Sequence, residues 1–266
     1  MSSLSSSSSS PSSSSPSSSS SPVEIAIIGG GLSGLSFLLT LLRSLPMQAS
    51  SSVVRRSVDV RCYERDSSSS SRRSAGYGLT LSYAENGALD RLGVLEGCAR
   101  EDCASRSHYV FDREGNIVKY YGNALKDRRT MKTGQRGNLR VPRASLREML
   151  LKGIEKACEE RGCKVDDVVK YGKDLVGLER GGGEAGPGSK VVASFADGTR
   201  TRPCDLLVAA DGVNSRVVSL LGGLYDSPLP APAPLRLDYF LAIGRSDCSH
   251  PLVTGGAYHT MGGEEG

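Results

Sequence analysis

The feature that most constrains the fold is a run of glycines between an apolar strand and an apolar helix. Residues 23–28 form a β-branched apolar run, typical of a buried parallel strand, and the sequence G-G-G-L-S-G follows at 29–34. The stretch 32–45 is apolar almost all round and ends before a proline, which predicts a helix packed between layers. A polar loop at 47–57 leads to a second strand at 58–63. The sequence therefore predicts a β-α-β unit of an α/β fold.

The glycines fit the G-x-G-x-x-G pattern of dinucleotide-binding proteins. Gly29 allows a tight turn, Gly31 lets a pyrophosphate approach the backbone, and Gly34 lets the helix and the strand pack closely. The phosphate charge would lie on the N–H groups of the helix start. Glu64 ends the second strand, where it can accept hydrogen bonds from an adenosine ribose. A carboxylate there favours the unphosphorylated ribose of FAD or NAD over that of NADP.

One spacing departs from the usual pattern. Glu64 lies 30 residues after Gly34, whereas the acidic residue usually follows the motif by about 20 residues. The polar loop at 47–57 can absorb the excess without moving either end. The alternative, a glycine-rich turn that binds no ligand, leaves the strand, helix and terminal acid unexplained.

Two further motifs follow in a fixed order. Arg143 and Leu146 form an R-x-x-L element, and an apolar strand at 205–210 ends in Asp211 and Gly212. With the glycine motif, they resemble the class A flavoprotein monooxygenases, the para-hydroxybenzoate hydroxylase group, which carry G-x-G-x-x-G, R-x-x-L and D-G in this order. The resemblance spans residues 23–222, and it includes two segments similar to the family's flavin side, at 76–82 and 86–93.

The resemblance implies an α/β fold with a Rossmann-like FAD-binding domain, a β-meander and the beginning of a β-sheet substrate domain. It implies an enzyme in which NADPH or NADH reduces FAD, O2 is captured as a flavin C4a-hydroperoxide, and one oxygen atom passes to a small organic substrate. No catalytic side chain and no metal ligand are assigned. The implied cofactor-binding residues are Gly29, Gly31, Leu32, Ser33, Gly34, Glu64, Arg65, Arg143, Asp211 and Gly212.

Several alternatives stay open at this point. A flavin halogenase or a prenyl-chain reductase would share the fold, although a halogenase is expected to carry a W-x-W-x-I-P motif and the chain has no Trp. A non-catalytic FAD-binding fragment is a third alternative. An NAD-dependent dehydrogenase is disfavoured, because Arg143 and the turn at Asp211 would have no role there. The family's third motif, G-D-A-x-H or similar, has no match, so we expect a truncated chain with weak or no retention of FAD.

Composition bears on domains and partners. Residues 1–22 are mostly Ser and predict a disordered tail. We expect the FAD-binding domain to span 23–222, interrupted at about 105–140 by part of the substrate region. We expect an incomplete substrate domain at 235–266. The net charge of +4 is too mild to argue for nucleic acid, and no apolar run approaches the roughly 20 residues of a membrane span. Seven Cys without metal-ligand spacing favour reduced, mostly buried thiols. We expect a cytoplasmic protein, with a plastid location left open by the Ser-rich start.

The remaining elements follow from local signals. Capping-box patterns predict one helix opened by Ser82 and ended by Gly93, and another opened by Ser145 and ended by Gly162. Alternation predicts a hairpin over 109–121. We further expect a polar loop at 122–139, strands at 175–179, 191–195 and 205–210, glycine turns at 181–188 and 197–198, a proline-rich linker at 228–234 and a strand at 237–243.

Overall fold

The structure is a computed structural model that describes residues 21–45, 57–68, 77–102, 107–122, 138–181, 189–224 and 257–261. It is a mixed α/β fold, as predicted. In chain order the elements are β1 (Val23–Ile28), α1 (Leu32–Ser44), β2 (Val58–Tyr63), β3 (Gly78–Ser82), α2 (Ala88–Arg91), α3 (Leu95–Arg100), β4 (Ser107–Phe111), β5 (Ile117–Gly122), β6 (Asn138–Pro142), α4 (Arg143–Arg161), α5 (Val165–Val168), β7 (Val169–Lys170), β8 (Leu175–Gly181), β9 (Lys190–Phe195), β10 (Leu206–Ala209), α6 (Arg216–Leu221) and β11 (Ala257–Met261).

The central sheet has the strand order β10-β1-β2-β7, and every described pairing in it is parallel. The predicted β-α-β unit is confirmed, because β1 pairs with β2 from Val23 opposite Val58 to Ile28 opposite Tyr63. On its other side β1 pairs with β10, the strand before the D-G turn. The glycine motif and the D-G motif thus follow neighbouring strands, and both leave the sheet at its carboxyl edge.

Helices α1 and α4 cover one face of this sheet. Ile27 and Cys62 are fully buried there with Leu35 and Leu38 of α1. The two helices cross closely at Gly153, where an added Cβ would lie 2.9 Å from a methyl carbon of Leu39. Truncating a buried leucine in such a layer typically costs about 2–5 kcal/mol, so this side of the sheet is a principal source of stability.

The antiparallel hairpin β8–β9 and the short helix α6 cover the opposite face. Ala26 and Ile28, which alternate with Ile27 along β1, point into this second core. Tyr63 stacks on Phe195 with ring centroids 4.9 Å apart. The sheet is therefore buried on both faces, which explains why its strands read as continuous apolar runs.

Two smaller sheets complete the described fold, and β6 contributes the buried Leu139 and Val141 to the core beneath α1 and α4. Strands β3 and β6 pair antiparallel, and β6 leads directly into α4. Strands β4 and β5 form the predicted hairpin, whose turn is tied by hydrogen bonds between Asp112 and Asn116. Strand β11 adds to β4 in parallel, which brings 257–261 beside 107–111. That this sheet belongs to a substrate domain stays a prediction.

Both predicted capping boxes are wrong. Ser82 is the last residue of β3, paired with Asn138, so its backbone is held in a strand and α2 begins only after Gly87. Helix α4 begins at Arg143, immediately after Pro142 ends β6, so Ser145 lies inside its first turn. Pairing of β3 with β6 overrides the local capping signals in both cases. The predicted ends hold, since Gly93 and Gly162 both have positive φ after a helix or turn.

Several predicted features lie outside the described residues, namely the tail at 1–20, most of the loop at 122–139, the glycine turn at 182–188, the linker at 228–234 and the strand at 237–243. The three strands predicted at 175–179, 191–195 and 205–210 are present as β8, β9 and β10. Among the described cysteines all five thiols are free, and four are buried: Cys62, Cys98, Cys158 and Cys204. Burial raises the pKa of the Cys62 and Cys158 thiols to about 12 in each case.

Candidate cofactor site

A cleft of about 200 Å³ lies at the carboxyl edge of the parallel sheet, where β1, β2 and β10 end. It brings together seven of the ten predicted residues: Gly29, Gly31, Glu64, Arg65, Arg143, Asp211 and Gly212. The other three, Leu32, Ser33 and Gly34, form the first turn of α1 directly behind Gly31. The sequence did not indicate the remaining lining residues, which are Ile28, Tyr63, Lys173, Asp174, Leu175, Ala210, Asn214 and Arg216.

Glycine is required at the first and last positions of the motif, because other backbone segments approach these two residues closely. Gly29 has φ +106°, and a Cβ there would lie 2.5 Å from the carbonyl oxygen of Ala210. A Cβ at Gly34 would lie 1.9 Å from the carbonyl oxygen of Gly29. Both distances are far below van der Waals contact, so the β1 turn, the D-G turn and the start of α1 can meet only if these positions lack side chains. The structural reasons predicted for Gly29 and Gly34 are therefore observed.

The middle glycine lies in open space. Among the atoms of the described residues, a Cβ at Gly31 would have one neighbour within 4 Å, a guanidinium nitrogen of Arg143 at 3.9 Å. Gly31 is also the N-cap of α1, and no side chain among the described residues caps this helix. The N–H groups of its first turn, at Leu32, Ser33 and Gly34, therefore have no side-chain acceptor. An uncapped helix start with a guanidinium beside it favours a negatively charged group.

Glu64 is held against the glycine loop. One of its carboxylate oxygens accepts a hydrogen bond from the Gly30 N–H at 2.6 Å, and the other accepts from the Asp66 N–H at 2.9 Å. This contact also restricts residue 30 to glycine, because an added Cβ would lie 2.8 Å from the same carboxylate. A carboxylate has about four acceptor positions. Glu64 therefore retains capacity for the ribose contact, which stays a prediction.

Two further side chains hold the loop from behind the cleft. The Cys62 thiol lies 3.6 Å from the Gly29 carbonyl oxygen, and Nε of Arg147 donates to the Gly30 carbonyl at 3.2 Å. Arg147 is also hydrogen-bonded to the side chain of Tyr171. Burial raises the pKa of both Cys62 and Tyr171, the charge of Glu64 raises it further, and Arg147 opposes the rise. Sequence reasoning missed Arg147, although its i,i+4 spacing from Arg143 places both on one helix face.

The carboxylate of Asp211 is used within its own turn. It accepts hydrogen bonds from the backbone N–H groups of Arg216 at 2.6 Å and Val217 at 3.1 Å, and from the Ser215 hydroxyl at 2.7 Å. Ser215 in turn accepts from the Val218 N–H at 3.1 Å. Asp211 therefore caps α6. Gly212 has φ +89°, and no atom of the described residues lies within 4 Å of an added Cβ, so these residues leave the backbone of this turn open to the cleft.

Lys173 lines the same cleft, but its ammonium group has acceptors of its own. It lies 2.5 Å from a carboxylate oxygen of Asp197 and 2.8 Å from the Thr199 hydroxyl. These contacts, first from Lys173 and then from Thr199, lower the pKa of Asp197 to about 2. Arg143, by contrast, directs its guanidinium toward Gly31. Of these two cations, Arg143 is the one placed at the helix start.

Two known proteins with similar sequences are named monooxygenases. Monooxygenase cfoF of Aspergillus candidus is 30% identical over 215 residues, which are 74% of this chain and 45% of the relative. The 6-methylpretetramide 4-monooxygenase of Streptomyces rimosus is 29% identical over 214 residues, 76% of this chain and 41% of the relative. The predicted resemblance to the class A flavoprotein monooxygenases is confirmed. No family model matches the chain.

The fold agrees with this likeness to class A monooxygenases. The flavin-dependent monooxygenase PieE, solved in complex with FAD and substrate, superimposes with a TM-score of 0.53 at 20% identity, over 76% of this chain and 32% of PieE. At this identity the likeness shows the fold alone. The chain spans less than half the length of the curated monooxygenases that it matches.

None of the helices in the described residues combines the length and apolar character that crossing a bilayer requires.

Proposed function

We propose that this chain forms the FAD-binding region of an NADPH- or NADH-dependent monooxygenase acting on a small organic molecule. The observation that carries the proposal is the cleft, in which an uncapped helix start, the Arg143 guanidinium and the open turn at Gly212 meet at the edge of a parallel sheet. Ligands of open α/β sheets bind at this edge, at the point where the connections after neighbouring strands run to opposite faces of the sheet, as α1 and α6 do here. Two monooxygenase relatives support the assignment.

The described residues fit the adenosine diphosphate half of FAD. The pyrophosphate would lie on the first N–H groups of α1 beside Arg143, and Gly31 leaves space for its approach. The ribose would lie near Glu64, at the end of β2, with Arg65 beside it. The Asp211 carboxylate is turned into α6, so it does not oppose the phosphates as an unpaired charge would.

Bound FAD would supply the redox chemistry, which is transfer of electrons from NADPH or NADH to O2 and of one oxygen atom to the substrate. The chain's own residues would bind and orient the cofactor. We assign none of them to proton transfer at the substrate. The cytoplasmic location predicted from the sequence, with a plastid as the alternative, belongs to the same proposal.

The test is titration of the purified 266-residue chain with FAD, followed by quenching of flavin fluorescence. We expect saturable binding that ADP competes for, since ADP carries the groups that the cleft would hold. Anaerobic addition of NADPH or NADH to the FAD complex is expected to bleach the visible flavin absorbance. A folded chain that neither quenches FAD nor binds ADP would overturn the proposal.

A further inference from the structure

Helix α4 presents two arginines to the glycine loop, one turn apart. Arg143 lies on the cleft side, with its guanidinium 3.9 Å from the position of a Cβ at Gly31. Arg147 lies behind the loop, where its Nε donates to the Gly30 carbonyl at 3.2 Å. The side chain of Tyr171 is a second hydrogen-bond partner of Arg147. The same helix therefore places two guanidinium groups near successive residues of the loop.

The contact of Arg147 fixes the direction of one peptide group. In a trans peptide the C=O of one residue and the N–H of the next point in opposite directions. Holding the Gly30 carbonyl toward Arg147 therefore directs the Gly31 N–H away from it. Since Gly31 lines the cleft, this is the direction that an anion in the cleft requires.

Two other contacts hold the neighbouring peptide groups of the loop. The Gly29 carbonyl is met by the Cys62 thiol at 3.6 Å, and the Gly30 N–H donates to Glu64 at 2.6 Å. The charges of Arg147 and Glu64 act with opposite signs on Cys62 and Tyr171, so the guanidinium offsets the carboxylate near the loop. A phosphate on the loop would otherwise meet the uncompensated charge of Glu64.

We propose that Arg147 is a positioning residue for the phosphate-binding loop, holding the Gly30–Gly31 peptide in the orientation that receives the pyrophosphate of a dinucleotide. The inference rests on the proposed function, since it names how this chain prepares the same site. Arg147 acts through the loop and does not contact the ligand.

The experiment compares three substitutions in the full 266-residue chain. Arg147→Met removes the donor, and Arg147→Lys keeps the charge. Arg161→Met is the matched control, because Arg161 on the same helix also donates to a backbone carbonyl, that of Leu42 at 2.7 Å, but far from the loop. For each variant, Kd values for FAD and for ADP are measured by titration, with the thermal midpoint Tm.

We expect Arg147→Met to weaken ADP and FAD by about tenfold or more, as loss of a charged hydrogen bond would. Arg147→Lys should recover part of that loss. Arg161→Met should lower Tm while leaving both Kd values within about twofold. If Arg147→Met lowers Tm as Arg161→Met does but leaves both Kd values unchanged, the role of Arg147 is overturned while the proposed function stands. If the unsubstituted chain binds neither ligand, the proposed function fails and the inference with it.

Discussion

Helices α1 and α6 begin at the same edge of the sheet, after the neighbouring strands β1 and β10, yet their first turns are built differently. The start of α1 has Gly31 as its N-cap and no side-chain cap among the described residues. The start of α6 has Ser215 as its N-cap and carries the Asp211 carboxylate on its first two N–H groups. One helix start is left open to a ligand, and the other is closed by the protein itself.

This difference shows why two motifs that both resemble cofactor signatures contribute different things. At α1, glycines bring backbone groups together and leave the helix N–H groups available. At α6, the acid stabilises a tight turn, so what remains for a ligand is the backbone at Gly212. An anion is therefore expected at α1 and not at α6, and four predictions test that distinction.

The largest expected effect is that of Gly34→Ala, which places a Cβ 1.9 Å from the Gly29 carbonyl oxygen. Helix α1 and the β1 turn would have to separate, at a cost of about 3 kcal/mol or more. The free energy of unfolding is measured by urea titration. Gly222→Ala is the control, because no atom in the described part of the chain lies within 4 Å of its added Cβ. Equal stabilities of the two variants would show that the close approach at α1 is not required.

Gly31→Asp would give α1 the kind of carboxylate that α6 already has. The backbone there tolerates a side chain, and an Asp in place of the Gly N-cap adds a few tenths of a kcal/mol of stability. The same carboxylate would occupy the anion position, so we expect FAD affinity to fall about 100-fold, or about 3 kcal/mol. Gly31→Asn caps the helix without the charge and should lose less affinity. Unchanged FAD affinity in Gly31→Asp would contradict the assignment of the phosphate to α1.

Asp211→Ala opens α6 by removing the acceptor of two backbone N–H groups and of the Ser215 hydroxyl. Loss of such a cap typically costs about 1–2 kcal/mol, measured as a lower free energy of unfolding. We expect a smaller change in ADP affinity than Gly31→Asp produces. Asp174→Ala removes an equal charge from the same cleft without uncapping a described helix, and serves as the control. A variant of normal stability that cannot bind ADP would make Asp211 a ligand contact instead.

The smallest effect concerns Asp197, which holds Lys173 at the cleft. Because the folded pKa of Asp197 is lowered to about 2, its ion pair stabilises the fold above pH of about 4, the ordinary range for an Asp. That contribution is lost as the pH falls through about 2. Asp197→Asn should therefore show a shallower loss of Tm between these pH values than the unsubstituted chain. Parallel curves of Tm against pH for the two proteins over this range would refute the lowered pKa of Asp197.

The site was predictable to the extent that its signals are local. Gly29, Gly34 and the strand–helix context around them mark a motif whose spacing alone dictates a close approach of backbones. The positions of Arg143 and Asp211 in the cleft came from the resemblance, because a lone arginine or a lone D-G pair carries no such information. Arg147, Lys173 and Arg216 were not found, since their place depends on which elements pack together. The two capping boxes failed for the same reason, as pairing of β3 with β6 decided where α2 and α4 begin.

The sequence by itself determined the β-α-β unit, the alternation of apolar faces and the need for glycine at the carboxyl end of β1, because each follows from residue size and periodicity over short spans. Only the tertiary structure decided which groups face the ligand. It turned the Asp211 carboxylate into α6, drew Glu64 onto Gly30, and brought Arg143 and Arg147 of one helix to the same loop. The contacts of Glu64 and Arg147 with Gly30 join residues 34 and 117 positions apart, so their geometry exists only once the sheet and its covering helices have assembled. The contacts of Asp211 with Arg216 and Val217 lie within one turn, but that turn is fixed by the pairing of β10 with β1.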